Sequence, residues 1–192
     1  MSSAWSCLLH GWVHLSRPEE EHTMSVTTKT GDQGQTSLFT GERIAKDDAR
    51  VEVYGKVDSL GSALGMARAF SENKRVKDDI LAVQKQLGML MADFASRNKP
   101  PRITAEMVAG LEAEIASIEE SLPPLKEFII PGDKKSSAML DLARTVAREA
   151  ERRAWTLARR GSVAEVDLQY LNRISDYCFV LMRLEDADKP TL

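Results

Sequence analysis

From about residue 56 onward, apolar and polar residues follow one another with a helical period almost to the end of the chain. The spacing predicts helices over 56–71, 75–97, 104–122, 134–160 and 163–186. In the second, Ile80, Val83, Leu87, Leu90 and Phe94 recur at intervals of three and four, one face of a helix. The third opens on Thr104 as a candidate N-cap, with Ile103 and Val108 placed to staple its first turn, and Leu111, Ile115 and Ile118 continue its apolar stripe. The breaks are explicit. "NKPPR" ends the second helix because paired prolines cannot continue it, "LPPLKEFIIPGD" separates the third from the fourth, and Gly161 ends the fourth. Short links favour antiparallel neighbours, so the expected fold class is all-α, an up-and-down bundle of about five helices. No internal repeat or low-complexity tract interrupts it.

One stretch has no apolar period. Residues 28–48, "TKTGDQGQTSLFTGERIAKDD", carry three glycines, many hydroxyls and a lysine near each end. A segment of that composition is a poor core element and a good ligand loop.

The fourth helix, "SSAMLDLARTVAREAERRAWTLARR", sets Ala143, Ala147, Ala150 and Ala154 in a small-residue stripe suited to close helix packing. Arg144, Arg148 and Glu151 form a neighbouring stripe with Arg152 beside them. Such a row can be a solvated face laced with local ion pairs. Beside a Gly/Thr/Lys loop it is also a sound way to hold a polyphosphate. In the fifth helix, Leu168, Leu171, Ile174, Cys178, Leu181 and Met182 suit a buried face. Asn172 stands at the edge of that face, where its amide needs partners; a ribose, a phosphate or an ordinary interhelical bond would serve equally. Cys178 in the apolar stripe reads as an inert core thiol.

Composition narrows the chemistry. The 192 residues suffice for one domain, and the net charge of −3 argues against a general nucleic-acid binder. No apolar run reaches the roughly 18 residues of a membrane span. Two cysteines, Cys7 and Cys178, make no disulfide framework, which favours a reducing, cytoplasmic setting. Residues 1–23 lack the basic start and cleavage site of a signal peptide, and the acidic run Glu19 to Glu21 precedes a second methionine, Met24. They read as a disordered or mis-called extension ahead of a domain over 24–188. All three histidines, His10, His14 and His22, lie in that extension. The body therefore has no His general base, no Ser-His or Cys-His pair, and no His-bearing metal site. Its chemistry has to run on Arg, Lys, Asp, Glu, Asn, hydroxyls and backbone.

Three segments in order, "TKTGDQGQTSLFTGERIAKDD…YGKVDSLGSALG", "FIIPGDKKSSAMLDLARTVAREAER" and "LNRISDYCFVLMR", resemble the PduO-type ATP:cob(I)alamin adenosyltransferases. Each alone is a weak or moderate signal, and together they cover most of the chain from Thr28 to Arg183. The resemblance implies a homotrimer of helical bundles, preceded by a Gly/Thr-rich nucleotide-binding segment, with an active site at each subunit interface. ATP with Mg2+ and a corrinoid would meet there, and cob(I)alamin would attack the 5' carbon of ATP and displace triphosphate. Thr28, Lys29, Thr30 and Gly31 are implied to wrap the phosphates, with Thr36 and Lys46 completing the loop. Arg148, Glu151, Arg152 and Asn172 match ATP-contacting positions, and Asp58 and Arg144 match an intersubunit salt bridge. Phe128 matches an aromatic residue below the corrin ring, implied to keep the lower axial ligand off cobalt. No resident metal ligands are implied. A cobalamin-reducing flavoprotein and an adenosylcobalamin-dependent enzyme follow as possible partners.

The sequence departs from the family pattern at Asp133, Asp141, Glu149 and Ser59. Glu149 is the weightiest, because it sets an anion where a cation is usual beside a triphosphate site. Facing ATP, it would repel the nucleotide; facing away, it would serve Arg153 as an i,i+4 partner. The competing expectations are a catalytically weak nucleotide- or corrinoid-binding relative and a purely structural helical protein.

Overall fold

The structure, a computed structural model, describes residues 27, 29–161 and 163–187. Expectations for residues 1–23, including His10, His14, His22 and Cys7, lie outside the described residues. Five helices follow one small hairpin: β1 (Gln35–Ser37), β2 (Arg43–Ala45), α1 (Ala49–Phe70), α2 (Lys74–Phe94), α3 (Ala105–Ser121), α4 (Lys135–Ala158) and α5 (Glu165–Ala187).

Helix α4 lies between α1 and α5 at the centre of the bundle. Its alanine stripe allows that, since Ala143, Ala147, Ala150 and Ala154 are all fully buried and hold neighbouring backbones close. Ion pairs fix α1 antiparallel to α4: Glu52 meets Arg153 at 3.4 Å, and Lys56 meets Glu149 at 3.1 Å. Helix α2 packs mainly on α1. Helix α3 packs on α5 rather than on its chain neighbours α2 and α4, so order along the chain is not order in space. The far end is tied by Glu185, whose carboxylate accepts from the hydroxyls of Ser71 and Ser136, both at 2.8 Å.

Helix α1 starts earlier than expected from residue 56. Asp48 caps it, accepting from the Arg50 amide at 2.8 Å. Val53 then joins Val57, Leu60 and Leu64 in one buried stripe; Gly55 obscures that period in the sequence. Helix α2 stops at Phe94, short of residue 97, because the buried Arg50 guanidinium donates to the Phe94 carbonyl at 2.9 Å and the Ser96 carbonyl at 3.0 Å. These are carbonyls that a helix end leaves unpaired. The start of α3 is as expected: Thr104 Oγ1 accepts from the Met107 amide at 3.4 Å, and Ile103 and Val108 are both buried.

Residues 28–48, without an apolar period in the sequence, nevertheless contain a short hairpin. Gln35 pairs with Ala45, Thr36 with Ile44, and Ser37 with Arg43, antiparallel. Gly41, at φ 94, makes the turn where an L side chain would be strained. Leu38 and Ile44 are buried, and the Phe39 amide donates to the Ala95 carbonyl at 2.9 Å, which docks the hairpin on the end of α2. No helix among the described residues is long and apolar enough to cross a membrane.

Candidate functional site

The hairpin brings the two ends of the Gly/Thr/Lys loop together. Gly34 closes a turn on the Gly31 carbonyl at 3.1 Å, and the Lys46 amide donates to the Gly34 carbonyl at 2.9 Å. Lys46 thus returns over Gly31. A Cβ at position 31 would sit 3.0 Å from Lys46 Nζ, 3.1 Å from Lys46 Cε and 3.3 Å from the Gln35 carbonyl. Only glycine lets the ammonium lie against this backbone. Lys29 adopts φ 57, turning the loop's start, and Lys29, Thr30 and Lys46 are exposed. Thr36 is half-buried in β1. Exposed lysines and hydroxyls around a close glycine are the donors and charge that an anion needs. Thr28 lies outside the described residues.

A second set stands on α4 and α5. Arg144, Arg148 and Glu151 line one side of α4, and Asn172 reaches across from α5 to donate to Glu151 Oε1 at 3.2 Å. Arg144 Nη2 and Nε bond Asp141 Oδ1 at 2.8 and 2.9 Å, an i,i+3 pair on the same helix. Arg148 and Arg152 are exposed. Glu149 points elsewhere: it meets Lys56 of α1 at 3.1 Å and Arg153 at 3.8 Å. Of the two orientations open to Glu149, the structure takes the one beside Arg153.

Two clefts run over this face. One, of about 400 Å³, is lined by Arg144, Arg148, Ser175 and Phe179 among others. The next, of about 550 Å³, is lined by Phe128, Asp141, Arg144, Phe179 and Met182 among others. They share Arg144 and Phe179, so cationic Arg148 and apolar Phe128 stand along one trough. Phe128 is 98% exposed and Ile130 87% exposed, an apolar lip more open than any other large hydrophobic side chain among the described residues.

The residues expected together thus fall into two groups. The loop set is assembled around Gly31; of the second set, Arg144 and Arg148 line the α4/α5 trough, while Glu151, Arg152 and Asn172 line neither cleft. Neither cleft that carries Arg148 or Phe128 is lined by a loop residue. Asp58 is exposed on α1. Among the described residues, no group of three or more His, Cys, Asp or Glu is placed to hold a metal ion. Cys178 is fully buried, and burial pushes its thiol up to about 12, so it stays protonated in the core.

Two supporting residues escaped the sequence reading. Arg43 ties the loop together, donating to the Thr30 carbonyl at 2.7 Å and to Ser37 Oγ at 3.2 Å. Its signal was the Thr-Gly turn between two short runs of alternating residues. Arg173 bonds Asn172 Oδ1 at 2.5 Å. Nothing in the sequence marked it, because side chains adjacent in a helix normally diverge.

Comparison with known proteins identifies the family. Residues 26–185 match the cobalamin adenosyltransferase family. The Corrinoid adenosyltransferase PduO of Citrobacter freundii is 40% identical over 170 residues, covering 86% of this chain and 51% of that protein. The chain thus spans about half the length of that relative. A corrinoid adenosyltransferase of Bacillus subtilis is 40% identical over 170 residues, covering 85% of this chain and 88% of that one. The chain superposes on a variant PduO-type ATP:corrinoid adenosyltransferase from Lactobacillus reuteri, solved with cobalamin and ATP, with a TM-score of 0.79 and 29% identity. That match covers 83% of this chain and 89% of the other.

Proposed function

The chain belongs to the cobalamin adenosyltransferase family, and we propose that it transfers the 5'-deoxyadenosyl group of ATP to cob(I)alamin, forming adenosylcobalamin and releasing triphosphate. One observation carries the reading: a single trough joins a phosphate-compatible cation, Arg148, to an exposed apolar lip at Phe128. A triphosphate and a flat macrocycle need those two surfaces side by side. The L. reuteri relative, solved with cobalamin and ATP, supports the pairing.

In the reaction, the Co(I) electron pair forms the Co–C5' bond while the C5'–O bond breaks and triphosphate leaves with its electrons. The substrate is its own nucleophile, so no protein base is required, in keeping with a body free of histidine. The protein supplies position and charge. Lys29, Thr30, Gly31, Thr36 and Lys46, with Thr28, cradle phosphate. Arg148 and Arg152 neutralise charge on the leaving group, Glu151 and Asn172 orient the nucleotide, and Phe128 excludes the lower axial ligand. Mg2+ would be held chiefly by the substrate's own phosphates, in keeping with the lack of a metal-holding acidic cluster among the described residues, and would offset charge on the leaving triphosphate. Glu149, turned to α1, leaves this field undisturbed.

The loop and the trough line no common cleft in one chain, which supports a site completed between copies. The loop of one subunit faces the α4/α5 trough of the next in a homotrimer, with Asp58 meeting Arg144 of its neighbour. A cobalamin-reducing flavoprotein upstream, an adenosylcobalamin-dependent enzyme downstream and a cytoplasmic setting follow from the same reading. The test is anaerobic incubation of the protein with ATP and cob(I)alamin. Loss of the Co(I) spectrum with formation of a light-sensitive Co–C product is expected. A Co(I) spectrum that persists with ATP bound would overturn transfer and leave a binding protein.

A further inference from the structure

Asn172 has a carboxamide with two chemically opposite ends, and its use in a site depends on which end faces the ligand. Its Nδ2 donates to Glu151 Oε1 at 3.2 Å, and its Oδ1 accepts from Arg173 Nη1 at 2.5 Å. A guanidinium only donates and an ionised carboxylate only accepts. The reversed amide would set Nδ2 against the guanidinium and Oδ1 against the carboxylate, two repulsive contacts in place of two bonds. The orientation follows from the partners.

Arg173 is not placed there by helix geometry, since consecutive side chains project about 100° apart. It is drawn back by acidic residues. Its Nε bonds Glu112 Oε1 of α3 at 2.6 Å, and its Nη1 lies 3.8 Å from Asp176 Oδ2. Helix α3 packs on α5 and contributes none of the residues assigned to the nucleotide, yet through Glu112 it holds the arginine that holds the amide.

We propose that Arg173, anchored by Glu112, is a positioning residue for the nucleotide site. It fixes the Asn172 amide nitrogen toward Glu151. The inference rests on Asn172 serving the nucleotide. The remaining N–H of Asn172 then faces oxygen acceptors of the ligand, a ribose or phosphate oxygen, and the site rejects an orientation that would offer only an acceptor.

The experiment measures ATP affinity by calorimetry on the full-length protein, with KM for cob(I)alamin alongside. Arg173→Ala should raise the ATP Kd about tenfold, the loss of one well-placed hydrogen bond, and leave the corrinoid KM unchanged. Arg173→Lys, which keeps a donor, should recover most of the loss. The double variant Asn172→Ala with Arg173→Ala should match Asn172→Ala alone, because Arg173 acts only through that amide. Glu112→Gln, a milder change far from the ligand, should shift the Kd in the same direction by about threefold and keeps the test alive if Arg173→Ala fails to fold. If Asn172→Ala weakens ATP binding while neither Arg173→Ala nor Glu112→Gln does, the positioning role is wrong and the nucleotide reading stands. If the two single losses multiply in the double variant, Arg173 acts independently of the amide and the proposal also falls. If Asn172→Ala leaves the Kd unchanged, the assignment of Asn172 to the nucleotide falls, and the proposal with it.

Discussion

Glu149 Oε1 lies 3.1 Å from Lys56 Nζ, and that contact turns the carboxylate to the α1 side of α4. Consecutive residues on a helix point about 100° apart. Arg148, one residue away, can therefore line the open trough while Glu149 seals a seam between two helices. A substitution that looks hostile to a triphosphate in the sequence is a packing contact in the fold.

Restoring a cation there should accordingly cost stability and spare binding. Glu149→Arg sets a positive charge against Lys56 and Arg153, partly exposed partners, and should lower stability by about 0.5–1 kcal/mol. That is a fall of roughly 1–4 °C in Tm. The ATP Kd should change by less than about twofold. A large change in Kd with Tm unaltered would place Glu149 in the nucleotide field after all.

Gly31→Ala should act on the nucleotide rather than on the core. The added methyl meets Lys46 Nζ at 3.0 Å, and the flexible ammonium gives way. Displacing one charge-assisted contact should weaken ATP binding about tenfold, roughly 1.4 kcal/mol. Far-UV circular dichroism and Tm should match the parent, because the loop supplies little of the bundle core. An unaltered Kd would mean Lys46 does not approach phosphate.

Phe128→Ala removes a ring that is 98% exposed, so Tm should hold within about 2 °C. Adenosylation that starts from Co(II) should slow far more than adenosylation that starts from preformed Co(I). Equal losses from the two starting states would reduce Phe128 to a contact for the corrin ring.

Asp141 changes how the intersubunit pairing has to be tested. Arg144 already bonds Asp141 at 2.8 Å, so a carboxylate at position 144 would face a carboxylate on its own helix. Asp58→Ala and Arg144→Ala should each reduce trimer content in sedimentation velocity, and the swap Asp58→Arg with Arg144→Asp should recover part of it only when combined with Asp141→Asn. Recovery that is indifferent to Asp141, or absent in every combination, would remove the Asp58–Arg144 pairing.

Asp167 gives the fold a dependence on pH. It is 3% exposed at the start of α5, beside a cavity of about 60 Å³ that Arg50, Asp93 and Lys99 also line, and its Oδ1 has no hydrogen-bond partner among the described residues. Burial, and secondarily the Asp93 carboxylate, push its pKa up to about 7. An unfolded aspartate titrates near 3.9. Between those values the folded state holds the extra proton, so stability from this group is full below about pH 4 and is lost as pH rises to about 7. Asp167→Asn removes that loss. The variant should be more stable than the parent by about 1–3 kcal/mol at pH 8 and gain little at pH 4, read as Tm across the range. A constant difference at all pH values would assign the effect to packing.

The sequence by itself determined the helices and the class of chemistry. Apolar spacing such as Ile80–Val83–Leu87–Leu90 is a local property, and burial then favours the face it marks. The absence of histidine beyond residue 24 likewise excluded a histidine base, a Ser-His or Cys-His pair and a His-bearing metal site without any coordinates. The same local signals were weak at element ends. Arg50 stops α2 through bonds to Phe94 and Ser96, residues more than forty positions away, and no window along the chain contains both partners. Side-chain direction was equally out of reach. Whether Glu149 faces a nucleotide or Lys56, and whether Arg173 folds back onto Asn172, depend on which helices lie against one another. The position of α3 on α5 shows why: its sequence neighbours are α2 and α4, and only the packing of the whole bundle brings Glu112 to Arg173.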